Sequence, residues 1–144
     1  MPILSKEEIK NILEKCHVIA VVGLSRELGK PSHTVAAYLK GHGYHIVPVN
    51  PFADEILGEK SYKSLSEMPV EIKRTIQVVN IFRRVKDVPP IVKEAVLLKD
   101  TYGKLRAVWM QEGIVNDSAA AMARKAGLTV VMDRCMMVEY KRLL

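Results

Sequence analysis

Five runs of mainly branched, apolar residues recur along the chain, and polar or glycine-containing segments separate them. An unbroken apolar run of this length is typical of a strand that is buried on both faces of a sheet. The pattern predicts strands over residues 18–22, 44–49, 75–81, 105–110 and 128–132.

The segments between these runs carry the signals of helices. Ser5 and Glu8 have the spacing of a capping box, in which each side chain satisfies a free backbone N–H group of the other. Proline at residues 31, 89 and 90 suits a first helical turn, where its missing N–H group costs nothing. We therefore predict helices that begin near Ser5, Pro31, Asp87, Asn116 and Cys135.

Strands that alternate with helix-length segments indicate parallel pairing through right-handed crossovers. No internal repeat, low-complexity tract or linker interrupts this alternation. The predicted fold is α/β: a single doubly wound, Rossmann-like domain over residues 1–144, with a mainly parallel five-stranded sheet flanked by helices.

Composition narrows the class of protein further. The chain has 144 residues and a formal charge of +6, but its basic residues are scattered and aromatics make up only 6%. Nucleic-acid modules favour aromatic platforms, so we expect no nucleic-acid partner, whereas a polyphosphate ligand suits the charge. Without a long apolar run or a signal peptide, we expect a cytoplasmic protein that does not bind membranes.

The segments that follow the predicted strands are the first place to look for a binding site, because ligands of such sheets bind beyond the carboxyl ends of the strands. The loop 23–32 offers Ser25, Arg26 and Lys30 ahead of a helix start, and free N–H groups there attract anions. The alternative interpretation is a turn glycine followed by surface charges.

Two familiar phosphate loops do not fit this segment. The dinucleotide motif G-x-G-x-x-G has Ser25 in place of its second glycine, and the predicted second strand is followed by Asn50 and not by an acid. The P-loop motif has Pro31 in place of the Ser or Thr that holds magnesium. The sequence therefore argues against an ordinary NAD site and against an NTPase.

Seven short motifs together resemble a known family. They are VVGLS (21–25), KPSH (30–33), PVNP (48–51), the segment 58–65 with its glycine, tyrosine, serine and leucine, NIFR (80–83), WMQEG (109–113) and DRC (133–135). In this order they resemble the small stand-alone CoA-binding domain proteins, which are similar to the CoA-binding domains of succinyl-CoA synthetase α chains and of ADP-forming acyl-CoA synthetases.

The resemblance implies a site for coenzyme A and names its residues. Those expected around the nucleotide phosphates are Gly23, Leu24, Ser25, Arg26, Lys30, Pro31 and Ser32. Those expected against the adenosine part are Val49, Asn50 and Pro51. Those expected to flank the rest are Phe82, Arg83, Gln111, Glu112, Gly113 and Ile114. One departure is Asn80, where the family pattern suggests an aspartate.

Other conspicuous residues have competing interpretations. Cys16 and Trp109 fit the core, and His33 fits either helix packing or a phosphate contact. The segment 133–135 has two interpretations. A cysteine beside an arginine at a helix start, as at Cys135, is typical of a reactive thiol. Alternatively, Asp133 pairs with Arg134 or another cation, and the segment only stabilises the fold.

Three functions remain open at this point. The preferred one is a protein that binds CoA or acyl-CoA and has no chemical step of its own, because the sequence shows no catalytic triad, paired carboxylates or metal motif. The second is an enzyme that depends on a thiol or a nucleotide. The third is a partner-binding module with a vestigial site. The sequence leaves open a homo-oligomer or a partner protein.

Overall fold

The computed structural model describes residues 4–144, and it contains the predicted five-stranded parallel sheet. The strands are β1 (Val18–Val22), β2 (His45–Val49), β5 (Val78–Ile81), β6 (Ala107–Met110) and β7 (Thr129–Val131), in the order β2-β1-β5-β6-β7. Every pairing is parallel, with Val21 opposite Pro48 and Asn80 on its two sides. The predicted domain includes residues 1–3, which lie outside the described part.

Helices cover both faces of this sheet. They are α1 (Lys6–Lys15), α2 (Pro31–Gly41), the short α3 (Val70–Lys73), α4 (Val88–Tyr102), α5 (Asp117–Lys125) and α6 (Met136–Leu143). Residues of α1, α2 and α6 pack in one cluster with Trp109, which is fully buried, and residues of α4 and α5 pack in the other. The fold is the predicted Rossmann-like one.

The helix starts confirm the capping signals of the sequence. The hydroxyl of Ser5 accepts a hydrogen bond from the N–H of Glu8, whose carboxylate accepts one from the N–H of Ser5, both at 3.1 Å. Proline occupies the first turn of α2 and of α4. No helix within residues 4–144 is long and apolar enough to cross a bilayer.

The short elements and the starts of most strands differ from the sequence prediction. The short hairpin of β3 (Glu55–Ile56) and β4 (Glu59–Lys60) and the helix α3 were not predicted. The third strand begins at Val78 and not at residue 75, because the Thr75 hydroxyl and N–H both donate to the Ile72 carbonyl and so belong to the turn after α3. The other strands also begin one or two residues later than predicted, except β1.

Candidate functional site

The point where the chain reverses its direction of winding lies between β1 and β5. From β1 the chain passes outward to β2, and it then returns across the sheet to β5, β6 and β7. Ligands of doubly wound folds bind at this position, beyond the carboxyl ends of the strands. Gly23 follows β1 here, and Phe82 and Arg83 follow β5.

Two clefts open at this edge of the sheet and share Gly23 and Arg83. The large cleft has a volume of about 850 Å³, and the small cleft one of about 280 Å³. The predicted site residues that line the large cleft are Gly23, Ser25, Lys30, Pro31, Ser32, Phe82, Arg83, Gln111, Glu112 and Ile114. Those that line the small cleft are Gly23, Val49, Pro51 and Arg83.

Gly23 holds the junction of the two clefts in a conformation that only glycine adopts easily. Its φ is +88°, and a Cβ atom there would lie 2.3 Å from the carbonyl oxygen of Phe82. Its N–H donates to the carbonyl of Val49 at 2.9 Å. The glycine therefore brings the ends of β1, β2 and β5 together, and the close approach is to the backbone of the protein itself.

The loop 23–32 is held by its own hydrogen bonds. The N–H of Ser25 donates to the hydroxyl of Ser32 at 2.9 Å, and the N–H of Glu27 donates to the hydroxyl of Ser25 at 3.0 Å. Lys30 caps α2 through its backbone and lies 3.9 Å from the carboxylate of Glu27, both side chains being more than half exposed. Such an exposed pair contributes little, so the ammonium group stays available at the rim of the large cleft.

The remaining predicted site residues do not line either cleft. Leu24 is fully buried in the core, and the Asn50 amide donates to its carbonyl at 2.9 Å. The guanidinium of Arg26 lies 3.5 Å from the carbonyl of Phe52, and the N–H of Gly113 donates to Asp133 at 2.7 Å. In the structure these residues hold the neighbouring loops in place.

The side chains at the mouth of the large cleft carry an excess of positive charge. Its charged lining consists of Lys30, Arg83 and Arg84 against a single acid, Glu112. Both arginines share the carboxylate of Asp87, at 3.4 Å and 3.2 Å. Asp87 thus fixes two guanidinium groups with one negative charge, which leaves a surplus for an anionic ligand.

The segment 133–135 pairs differently from one of the two interpretations of its sequence. One of its two interpretations paired Asp133 with Arg134 or another cation, but the Asp133 carboxylate accepts the N–H of Gly113, and the φ of Asp133 is +57°. Arg134 instead pairs with the buried Glu139 at 3.6 Å. Asp133 therefore joins the loops after β6 and β7.

Cys135 lies at the start of α6, half-buried, in the wall of the large cleft. Cys16 lies in the core, and burial raises its pKa, an effect that the nearby Arg106 only partly offsets. A thiol reacts as its thiolate, so burial and a raised pKa both make Cys16 unreactive. The two cysteines thus differ in their access to reagents and to any ligand of the cleft.

Two buried amides lie beneath this wall. The side-chain oxygen of Gln111 accepts the N–H of Met136 at 3.0 Å and so caps α6, although Gln111 was predicted as a ligand contact. The Asn80 amide nitrogen lies 3.6 Å from the sulfur of Met136, and its oxygen has no partner among the described residues. An ionised aspartate at residue 80 would be a charge in the core, which is costly unless a partner compensates it.

Sequence reasoning missed several residues of the small cleft. Lys63, Ser64, Pro90, Ile91 and Glu94 line it. The segment 58–65 was part of the resemblance, but no role in the site was assigned to it. Tyr62 pairs with Val49 through a single bridge, and such a bridge leaves no strand pattern in the sequence that would place the segment beside the sheet.

His33 is buried in α2, which supports its packing interpretation. Residues 4–144 contain no group of three His, Cys, Asp or Glu side chains placed to hold a metal ion.

Similarity to known proteins extends over the whole described fold. The protein YneT of Bacillus subtilis is 41% identical over 136 residues, which is 94% of each chain. A hypothetical protein from Pyrococcus horikoshii has a solved structure that superposes with a TM-score of 0.88, at 36% identity, covering 99% of this chain and 96% of that one.

A larger enzyme is similar in sequence to part of this chain. The ADP-forming acetate–CoA ligase II of Archaeoglobus fulgidus is 40% identical over 78 residues, which is 53% of this chain but only 11% of the ligase. Residues 17–141 match the family described as CoA binding domain. With most of its length inside that match, the chain belongs to the CoA binding domain family.

Proposed function

We propose that this chain binds coenzyme A, free or acylated, across the two clefts, and that it performs no chemical step of its own. The observation that carries the proposal is the junction at Gly23 and Arg83, where a basic cleft and a smaller apolar cleft meet. Family membership supports CoA as the ligand class, and the residues of both clefts fit such a ligand.

The sizes of the clefts suit the parts of this ligand. Pockets that enclose a whole drug-sized molecule span roughly 300–1,000 Å³, and the small cleft, at about 280 Å³, takes only a ring system. The large cleft, at about 850 Å³, accommodates a longer arm between Phe82, Ile114 and Val138. A pyrophosphate that joins the two parts would cross the junction beside Arg83.

The absence of a chemical step is proposed from the comparison with the ligase. The matched segment is 11% of the ligase, so most of that enzyme lies outside the part that resembles this chain. Delivery, storage or sensing of CoA would each need only the binding site.

Titration calorimetry with CoA, dephospho-CoA and NAD tests the proposed ligand. We expect CoA and dephospho-CoA to bind at least about 100-fold more tightly than NAD, because the loop 23–32 lacks the second glycine of an NAD loop and no acid follows β2. Raising the salt concentration should weaken CoA binding, since exposed charges are screened. NAD affinity equal to that of CoA would refute the proposal.

Cysteine alkylation supplies a second readout on the native protein. Cys135 should react with iodoacetamide at least about tenfold faster than Cys16, because Cys16 is buried and its pKa is raised. Saturating acetyl-CoA, whose thiol is blocked and so does not consume the reagent, should slow the labelling of Cys135, whereas NAD at the same concentration should not. Peptide mass spectrometry measures both rates, and labelling of Cys135 that acetyl-CoA leaves unchanged would place the ligand outside the large cleft.

A further inference from the structure

The hairpin of β3 and β4 returns the chain to the edge of the sheet where the clefts open. After it, Tyr62 lies beside the end of β2: its N–H donates to the carbonyl of Pro48 at 3.1 Å, and its carbonyl accepts the N–H of Asn50 at 2.9 Å. This parallel bridge places Lys63 and Ser64 beyond the carboxyl ends of the strands, at the same edge of the sheet as the loops after β1 and β5.

The small cleft has apolar walls and a balanced set of charges. Its walls are Val22, Val49, Pro51, Pro90 and Ile91, and its charged residues are Lys63, Arg83, Asp87 and Glu94. Asp87 pairs with the arginines, and the carboxylate of Glu94 accepts the N–H of Ser66 at 3.2 Å.

Lys63 differs from the other charged groups of the cleft. It is exposed, and it makes no ion pair with any other residue in the range 4–144. An ammonium group beside an apolar slot suits a ligand with a flat ring and an anion attached close to it. Glu94 in the same slot is an acceptor for a donor on that ring, such as an exocyclic amine.

We propose that Lys63 distinguishes CoA from its dephosphorylated form by pairing with the ribose 3′-phosphate, while the adenosine occupies the small cleft. The inference rests on the proposed function, because it assigns one end of the same ligand. A charge-assisted contact between an ammonium and a phosphate is stronger than a neutral hydrogen bond. Lys63 is thus a specificity-determining residue, and dephospho-CoA, which lacks only this phosphate, is the ligand that reveals it.

The experiment compares CoA with dephospho-CoA on three proteins by titration calorimetry: wild type, Lys63→Gln and Lys60→Gln. Lys60 is the matched control, since it is exposed nearby in the sequence, lies over the ring of Tyr62 at 5.7 Å and does not line the cleft. We expect wild type to bind CoA about tenfold more tightly than dephospho-CoA.

In Lys63→Gln, CoA affinity should fall to the level of dephospho-CoA, whose own affinity stays within about twofold of wild type. Lys60→Gln should keep the wild-type ratio. Equal affinities for the two ligands in wild type, an unchanged ratio in Lys63→Gln, or a parallel loss of both ligands in Lys63→Gln would each overturn the inference. Failure of wild type to bind either ligand would instead refute the proposed function, so the two failures are distinguishable.

Discussion

Replacement of Gly23 by alanine is expected to lower the free energy of unfolding by about 3 kcal/mol. Two costs combine: a non-glycine residue is strained at a φ of +88°, and its Cβ atom would lie 2.3 Å from the carbonyl oxygen of Phe82. Since that atom is backbone, the ends of β1 and β5 must separate to relieve the contact. Equilibrium unfolding in urea measures the loss, and CoA affinity should fall with it.

Gly29→Ala is the matched control for this prediction. Gly29 lies in the same loop at almost the same φ, +89°, but a Cβ atom there has no neighbour within 4 Å. It should therefore cost only the conformational part, about 1 kcal/mol. If both variants lose the same stability, the close approach at Phe82 plays no role and the junction is less tightly packed than described.

Charge reversal at Lys30 is expected to weaken CoA binding about 30-fold or more. Its ammonium lies at the rim of the basic cleft, and a carboxylate there would repel the pyrophosphate as well as remove a charge-assisted contact. Titration calorimetry of Lys30→Glu at low and moderate salt measures the effect, which should shrink as salt screens the repulsion.

The matched variant is Arg26→Glu, which changes a charge in the same loop without touching either cleft. The guanidinium of Arg26 lies near the Phe52 carbonyl, so the change should alter CoA affinity by less than about threefold. Both variants should unfold within about 0.5 kcal/mol of wild type, because both residues are exposed. Equal losses of affinity from the two reversals would mean that only the net charge of the loop matters.

The long elements of the fold were predictable because their signals are local. A strand buried on both faces needs apolar side chains at every position, and Val18–Val22 shows this directly. The capping box at Ser5 marks a helix start through hydrogen bonds that span three residues, and the prolines of α4 mark one through a missing N–H group that a first turn does not need. The hairpin and α3 left no such signal, since strands of two residues and a helix of four are shorter than any repeat.

The candidate site was predictable only as a set of loops. The rule that ligands lie beyond the carboxyl ends of the strands located the segments, but no periodicity governs where side chains point in irregular backbone. Leu24 therefore lies in the core although its neighbour Ser25 lines the large cleft. Lys63 was missed for a related reason, since a tertiary bridge at Tyr62, far from any strand pattern, brings it to the site.

The order of the strands also bears on how the protein meets other copies of itself. Exposed strand edges act as templates on which another chain can add a strand. Here one edge is β2, where Pro48 lacks an N–H group and Tyr62 already occupies the outer side, and the other is β7, with only three residues. Intermolecular sheet extension thus finds little free backbone at either edge of the described sheet, which makes side-chain surfaces the more favourable route for self-association.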